Sequence, residues 1–318
     1  MGWRIGLLVT LLVTGCAPRS PQPLPFEEER ESPATQVTSG RAGQDRDPEL
    51  SPDGKLLYYA SSSFGPSYDL YVREIGSNTA TRLTSLAGDE RFPKVCPANP
   101  RLLAFSGDGE GEWAIYVLNV ERPSQIQRVT ESGVHCIHPS WSPDGRLLVY
   151  CAAEDTAGPW TIRIRDLMTG RTQVFDDLEG LLPNWAPAGN RIVFQRMRAR
   201  DGWLSSIWTF EYEAGAARNV TVVLSSDEWG AINPSWSPDG KWIVFATVAK
   251  SPSHLAMLDR GDDLWAIRPN GAHATRLTTS TAADWMPAWS ADDRVYFVSD
   301  RGGSQRIWSL APQGLEGR

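Results

Sequence analysis

The residues of this chain that could carry chemistry fall into two groups. Four histidines occur, His135, His138, His254 and His273, and the first two flank Cys136. Histidine and cysteine at this spacing are metal-ligand types, but a metal centre needs three or four ligands converging from several parts of a fold. The second group is acidic: Asp45, Asp47, Asp89, Glu90, Glu228 and Asp284, with Arg46 and Arg91 among them. Gathered around one opening, such acids can hold a cation, a basic peptide or a sugar. They can equally be solvated or paired with their own arginines. No two of them are marked as general acid and base. The sequence contains no Gly-x-Ser-x-Gly elbow, phosphate-binding loop, dinucleotide fingerprint, His-Glu-x-x-His pair or EF-hand loop.

What must position these residues is a repeat. Ser-Pro-Asp-Gly and its worn variants start at Ser51, Cys96, Ser142, Ala186, Ser237 and Ser290, at spacings of 45, 46, 44, 51 and 53 residues. A proline stands three residues before each: Pro48, Pro93, Pro139, Pro183, Pro234 and Pro287. The residue before the turn is Leu50, Val95, Trp141, Trp185, Trp236 or Trp289. Proline presets φ and glycine accepts φ > 0, so each turn closes a hairpin. The β-rich run after it, such as Lys241–Ala246, is a second strand. A third begins at Asp69, Ala114, Thr161, Ser206, Asp263 and Arg306, and Thr-Arg-Leu-Thr or its variants form a fourth.

Four antiparallel strands every 45 residues or so predict an all-β, six-bladed propeller. The 14 tryptophans suit the flat interfaces between blades. The sixth unit runs out after three strands, and Ala34–Thr38 is the spare strand expected to complete it and close the ring. The acids near the starts of the first strands would then ring one mouth of the central channel. His138 has Asp47, Phe92, Leu182, Asn233 and Met286 at the matching positions. No other blade repeats the histidine, so neither a metal nor another cofactor is expected.

The words Ser-Pro-Asp-Gly-Lys, Asp-Leu-Tyr/Trp and Thr-Arg-Leu-Thr resemble the TolB-type six-bladed propeller, from Ala34 to about Ala311. That resemblance implies a bacterial envelope protein whose propeller binds other proteins, among them a peptidoglycan-associated lipoprotein. It departs from TolB in having a short tether where TolB carries an α/β domain. The expected organisation is a signal peptide (1–15), a lipidated cysteine and tether (16–33), the propeller (34–312) and a tail (313–318).

The N-terminal segment has its own signature. Ile5–Thr14 is an apolar run too short to span a bilayer, and it ends in Val13-Thr14-Gly15-Cys16. This resembles the lipobox of bacterial lipoproteins, which implies lipid on Cys16, a periplasm-facing protein and, with Ala17 rather than Asp following, the outer membrane. The alternative is an ordinary secretory signal. Residues Ala17–Ser32, rich in Pro and Glu, read as a solvated tether. The net charge of −7 and pI near 5.2 exclude a nucleic-acid surface. Counting outward from the third turn sets Cys136 opposite Cys151, a candidate disulfide in an oxidising periplasm, with two small buried residues as the alternative. The longer insertions, Ala249–Asp262 and Met197–Ser205, are candidate binding loops.

These features read as a non-enzymatic envelope lipoprotein that scaffolds protein interactions. A closed ring has no need of a second chain, so a monomer is expected. The alternative is a carbohydrate lyase or hydrolase, or a glycan sensor, at the acidic mouth.

Overall fold

The computed structural model describes residues 33–40, 42–197, 205–249 and 263–315. Cys16, the tether and nearly all of the two long insertions lie outside them. The described residues form six sheets of four antiparallel strands each. Blade one is Asp45–Leu50, Leu56–Ser61, Asp69–Glu74 and Thr81–Arg82; blade two is Glu90–Val95, Leu102–Gly107, Ala114–Asn119 and Arg122–Arg128. Blade three is His135–Trp141, Leu147–Ala153, Thr161–Asp166 and Thr172–Glu179; blade four is Leu181–Trp185, Arg191–Met197, Ser205–Glu213 and Ala216–Leu224. Blade five is Trp229–Trp236, Ile243–Ala249, Leu264–Ile267 and Thr275–Arg276. Blade six is Asp284–Trp289, Val295–Ser299 and Arg306–Leu310, completed by Ala34–Gln36.

The spare N-terminal strand pairs as expected: Ala34 opposes Leu310, Thr35 opposes Ser309 and Gln36 opposes Trp308. The strand stops two residues earlier than the sequence pattern, because Val37 and Thr38 both turn their N–H groups to the Ile307 carbonyl. Thr38 then accepts the Ile307 N–H on its hydroxyl at 3.0 Å. Strand closure thus joins the first described segment to the last.

The core lies between blades. Each of six buried clusters spans one seam: Tyr58, Leu70, Val95 and Phe105 join blades one and two, while Tyr59, Tyr71, Tyr296 and Ile307 join six to one. Trp141, Trp185 and Trp236 each sit in the cluster that joins their blade to the preceding one. Two of them also bond across it, Trp141 Nε1 to the Lys94 carbonyl at 2.9 Å and Trp236 Nε1 to the Asn184 carbonyl at 3.0 Å. A single blade could bury neither face alone; stacking in a ring buries both.

The turns are built alike. In Ser237-Pro-Asp-Gly, the serine hydroxyl donates to Asp239 at 2.6 Å and accepts the Trp242 N–H at 2.9 Å. Ser51 and Ser142 repeat both bonds. The glycine takes φ near 70° at positions 54, 145 and 240, a conformation that costs other residues strain.

A candidate site in the central channel

The channel owes its shape to one irregularity repeated six times. Asp47, Phe92, His138, Leu182, Asn233 and Met286 all have φ between 52° and 58°, although none is glycine. Each precedes the repeat proline, and the pairing with the second strand slips across that dipeptide in every blade. These are β-bulges: proline has no N–H to give the ladder, and the residue before it takes the left-handed turn that swings its side chain inward. Left-handed non-glycine backbone costs roughly 1–3 kcal/mol per residue and persists only where the surroundings impose it. The six residues and their prolines line a cavity of about 70 Å³ on the channel axis, room for a few waters or one small group. Toward the turn side the channel widens into a funnel of about 260 Å³, walled in part by Glu49, Lys94, Trp185 and Trp289.

Most polar groups around the axis are committed to holding blades together. Asp47 forms a two-point ion pair with Arg91 of the next blade and also accepts the Phe92 N–H at 3.3 Å. Burial alone would raise the Asp47 carboxyl, but the charge and hydrogen bonds of Arg91, aided by Arg46, bring it below its ordinary value. Arg91 lies over the rings of Tyr68 and Phe92, at 5.0 and 4.7 Å. Glu49 and Lys94 pair at 2.7 Å, and Glu49 also accepts the Val95 N–H. Neutral residues do the same in later blades: Ser140 accepts the Trp185 N–H, Asn184 the Trp236 N–H and Gln195 the Asn233 N–H.

Two channel side chains are less engaged. His138 stands edge-on to Phe92 with ring centroids 4.2 Å apart, and its Nδ1 is 3.9 Å from Cys151 Sγ. Burial pushes its pKa down to about 3; Asp47 opposes this, while Arg91 and Lys94 add to it. The imidazole is therefore neutral at physiological pH and a weak base. Asn233, only 6 % exposed, has a buried amide oxygen with no hydrogen-bond partner.

The candidates at the mouth do not form an open acidic ring. Asp45, Asp47, Glu90 and Asp284 are buried, and they are spread over three seams, Asp47 and Glu90 sharing the one between blades one and two. Asp45 accepts from Ser61 at 2.7 Å and lies 3.6 Å from Arg306; Asp284 pairs with Arg301 at 2.7 Å. Arg46 is buried beside them. Asp89, half-buried, accepts the Tyr68 N–H at 2.8 Å, and Glu228 is exposed. Of these candidates only Asp47 and His138 line the inner cavity. Among the described residues no group of three or more His, Cys, Asp or Glu is placed to hold a metal ion. Sequence reasoning missed Lys94, Glu49 and Asn233 as channel residues, although their places in the repeat marked all three.

The disulfide expected between Cys136 and Cys151 is corrected by the register. Cys136 opposes Ala152, and Cys151 opposes Ile137. A one-residue offset sends the two side chains to opposite faces of the sheet. Cys96, Cys136 and Cys151 are buried free thiols, and burial raises the pKa of all three, that of Cys136 to about 11.

Residues 29–209, over half of the chain, match the model of the TolB beta propeller domain. The chain belongs to the TolB β-propeller family. An uncharacterized protein of Agrobacterium fabrum is 28 % identical over 79 % of this chain and 64 % of its own length. The Tol-Pal system protein TolB of Francisella tularensis is 26 % identical over 68 % of this chain and 48 % of its own. This chain therefore spans about half to two-thirds of the length of the curated relatives it matches. The solved structure of a TolB described as putative, from Agrobacterium tumefaciens, superposes with a TM-score of 0.65 at 21 % identity, covering 84 % of this chain and 90 % of that one.

Proposed function

We propose that this TolB-family propeller is a non-enzymatic scaffold of the bacterial cell envelope, holding a segment of a partner protein at its central channel. The observation that carries this reading is the channel itself. It is a cavity and funnel on a rigid axis, walled by Phe92, Leu182, Met286 and Trp289, whose charges are neutralised by ion pairs between blades. Such a surface offers shape, apolar contact and a few hydrogen-bonding groups, which is what recognition requires. The neutral His138 favours contact over proton transfer, since a general base works best with a pKa near the operating pH. Relatives named for the Tol-Pal system support an envelope partner, and by analogy a peptidoglycan-associated lipoprotein is the first to examine.

The same reading takes Cys16 as the lipidated residue, anchoring the propeller to the periplasmic face of the outer membrane through the tether. Labelling growing cells with a fatty-acid analogue tests the anchor. Wild type should carry label and sediment with outer membranes, and Cys16→Ala should do neither. An unlabelled wild type found in the soluble periplasm would remove the anchor from the account while leaving the channel reading intact.

A further inference from the structure

Asp45, Glu90 and Asp284 occupy one repeat position, three residues before the proline of a first strand. The seams behind them are balanced differently. Between blades six and one, Arg306 stands where the motif elsewhere has Asp69 or Asp263. It lies 3.6 Å from Asp45 while its guanidinium donates to the Gly40, Ala42 and Gly43 carbonyls. Between blades five and six there are two acids and two arginines: Asp263 pairs with Arg276 and Asp284 with Arg301, both at 2.7 Å. Between blades one and two, Asp69 pairs with Arg82 at 2.7 Å, and Glu90 brings a second acid without a second arginine.

The missing cation can be located. Asp284 opposes Ser299 and Glu90 opposes Gly107, so the counterpart of Arg301 is Gly109. A Cβ at Gly109 would lie 1.9 Å from the Ala87 carbonyl oxygen, so that site admits no side chain without rebuilding the loop. Glu90 is 0 % exposed; Thr84, Asp69 and the Leu86 N–H lie against its carboxyl, but neither oxygen meets any of them at full hydrogen-bonding geometry. The other charged groups nearby are bound to other partners, and of them Arg82, held by Asp69, also feels the Glu90 charge. Arg82 also donates to the Thr84 carbonyl, Asp89 accepts from Tyr68, Asp108 accepts the Asp89 N–H, and Arg91 turns to Asp47, beside which Arg46 also lies. A lone carboxylate sealed from water beside another acid is costly unless it keeps its proton.

We propose that Glu90 stays protonated beside Asp69 as a proton-linked latch between blades one and two, and that losing this proton loosens the seam. The seam holds one side of the channel mouth. The Glu90 N–H donates to the Tyr68 carbonyl, Tyr68 donates to Gln44 at 2.6 Å, and Arg91 lies over the Tyr68 ring. The proposal does not depend on what the channel binds. Burial, with Asp69 adding to it and Thr84 opposing, raises the Glu90 pKa from 4.5 to about 8. The unfolded chain releases this proton near 4.5 and the folded one near 8. The latch therefore contributes fully below 4.5, and its contribution falls as pH rises between the two values.

Thermal unfolding of the full chain from pH 4.5 to 9 tests this in three forms: wild type, Glu90→Gln and, as comparator, Asp47→Asn. Glu90→Gln should match wild type near pH 4.5 and melt at least about 2 °C higher at pH 8, whereas Asp47→Asn, which removes a carboxylate that Arg91 holds below its ordinary pKa, should melt lower than wild type at neutral pH. An offset for Glu90→Gln that is the same at every pH, or a lower melting point at pH 8, overturns the latch. If Glu90→Gln does not fold, infrared spectroscopy of the wild type decides. A protonated carboxyl band present at pH 7 and lost by pH 9 supports the proposal, and its absence at pH 7 refutes it.

Discussion

At the scale of single residues, the polar groups of the channel hold blades together. Removing one member of a buried pair leaves the other charged and unsolvated, which costs about 3–5 kcal/mol. Arg91→Ala should therefore destabilise the fold by that order, read as a lower denaturant midpoint, because Asp47 is only 3 % exposed. The double variant Arg91→Ala with Asp47→Ala should recover part of the loss. The Asp47 pKa is lowered in the folded state, so its contribution is present at neutral pH and is lost as pH falls through the folded value. Turn serines should cost less. Ser237→Ala removes the acceptor for the Trp242 N–H, a loss of about 1 kcal/mol, measurable by chemical denaturation. The buried thiols Cys96, Cys136 and Cys151 should resist alkylation in the native protein and react together once it unfolds; two that stay unreactive until a reductant is added would mean a disulfide.

At the scale of elements, the six bulges explain what could and could not be read from the sequence. Strand order, turn chemistry and ring closure were legible, because Ser-Pro-Asp-Gly, the preceding proline and the spare strand are local words repeated at a fixed period. The bulges were not: a left-handed residue before each proline has no compositional mark, since Asp47, Phe92, His138, Leu182, Asn233 and Met286 share no chemistry. Centring the third turn on Pro143-Asp144 placed Cys136 opposite Cys151, one residue out of register; the pairs of Ser140 with Val149 and Trp141 with Leu148 centre it between Asp144 and Gly145 instead. The partners of the acids were equally hidden. Arg306 reaches Asp45 from the far end of the chain, and Arg301 reaches Asp284 from a loop. Only the substitution of arginine for the motif aspartate at position 306 hinted that one seam reverses its charges. Ring closure gives the prediction at this scale. A chain starting at residue 40 loses the Ala34–Gln36 ladder and the Thr38 bond, and should melt well below the full-length protein with blade six exchanging its amide hydrogens first. Equal stability of the two chains would mean that the ring does not depend on this strand.

At the scale of the whole molecule, the fold makes a ring whose core lies between blades and whose axis carries two lightly committed groups, His138 and the Asn233 amide oxygen. The mouth was expected to be acidic; Asp45, Asp47, Glu90 and Asp284 are instead buried in the seams, while Asp89 is half-buried and Glu228 exposed. What the axis offers a partner is a narrow, largely apolar cavity with a funnel beyond it, and the account stands on that surface being used. The most direct measurement places a photo-crosslinking amino acid at Met286, which lines the inner cavity. A second copy at Val222, exposed on the outer strand of blade four, serves as reference in intact cells. The account predicts a discrete protein adduct from position 286 that position 222 does not give, and its loss when Leu182→Trp fills the cavity. Adducts of the same pattern from both positions, or none from the channel while the rim gives one, would contradict it.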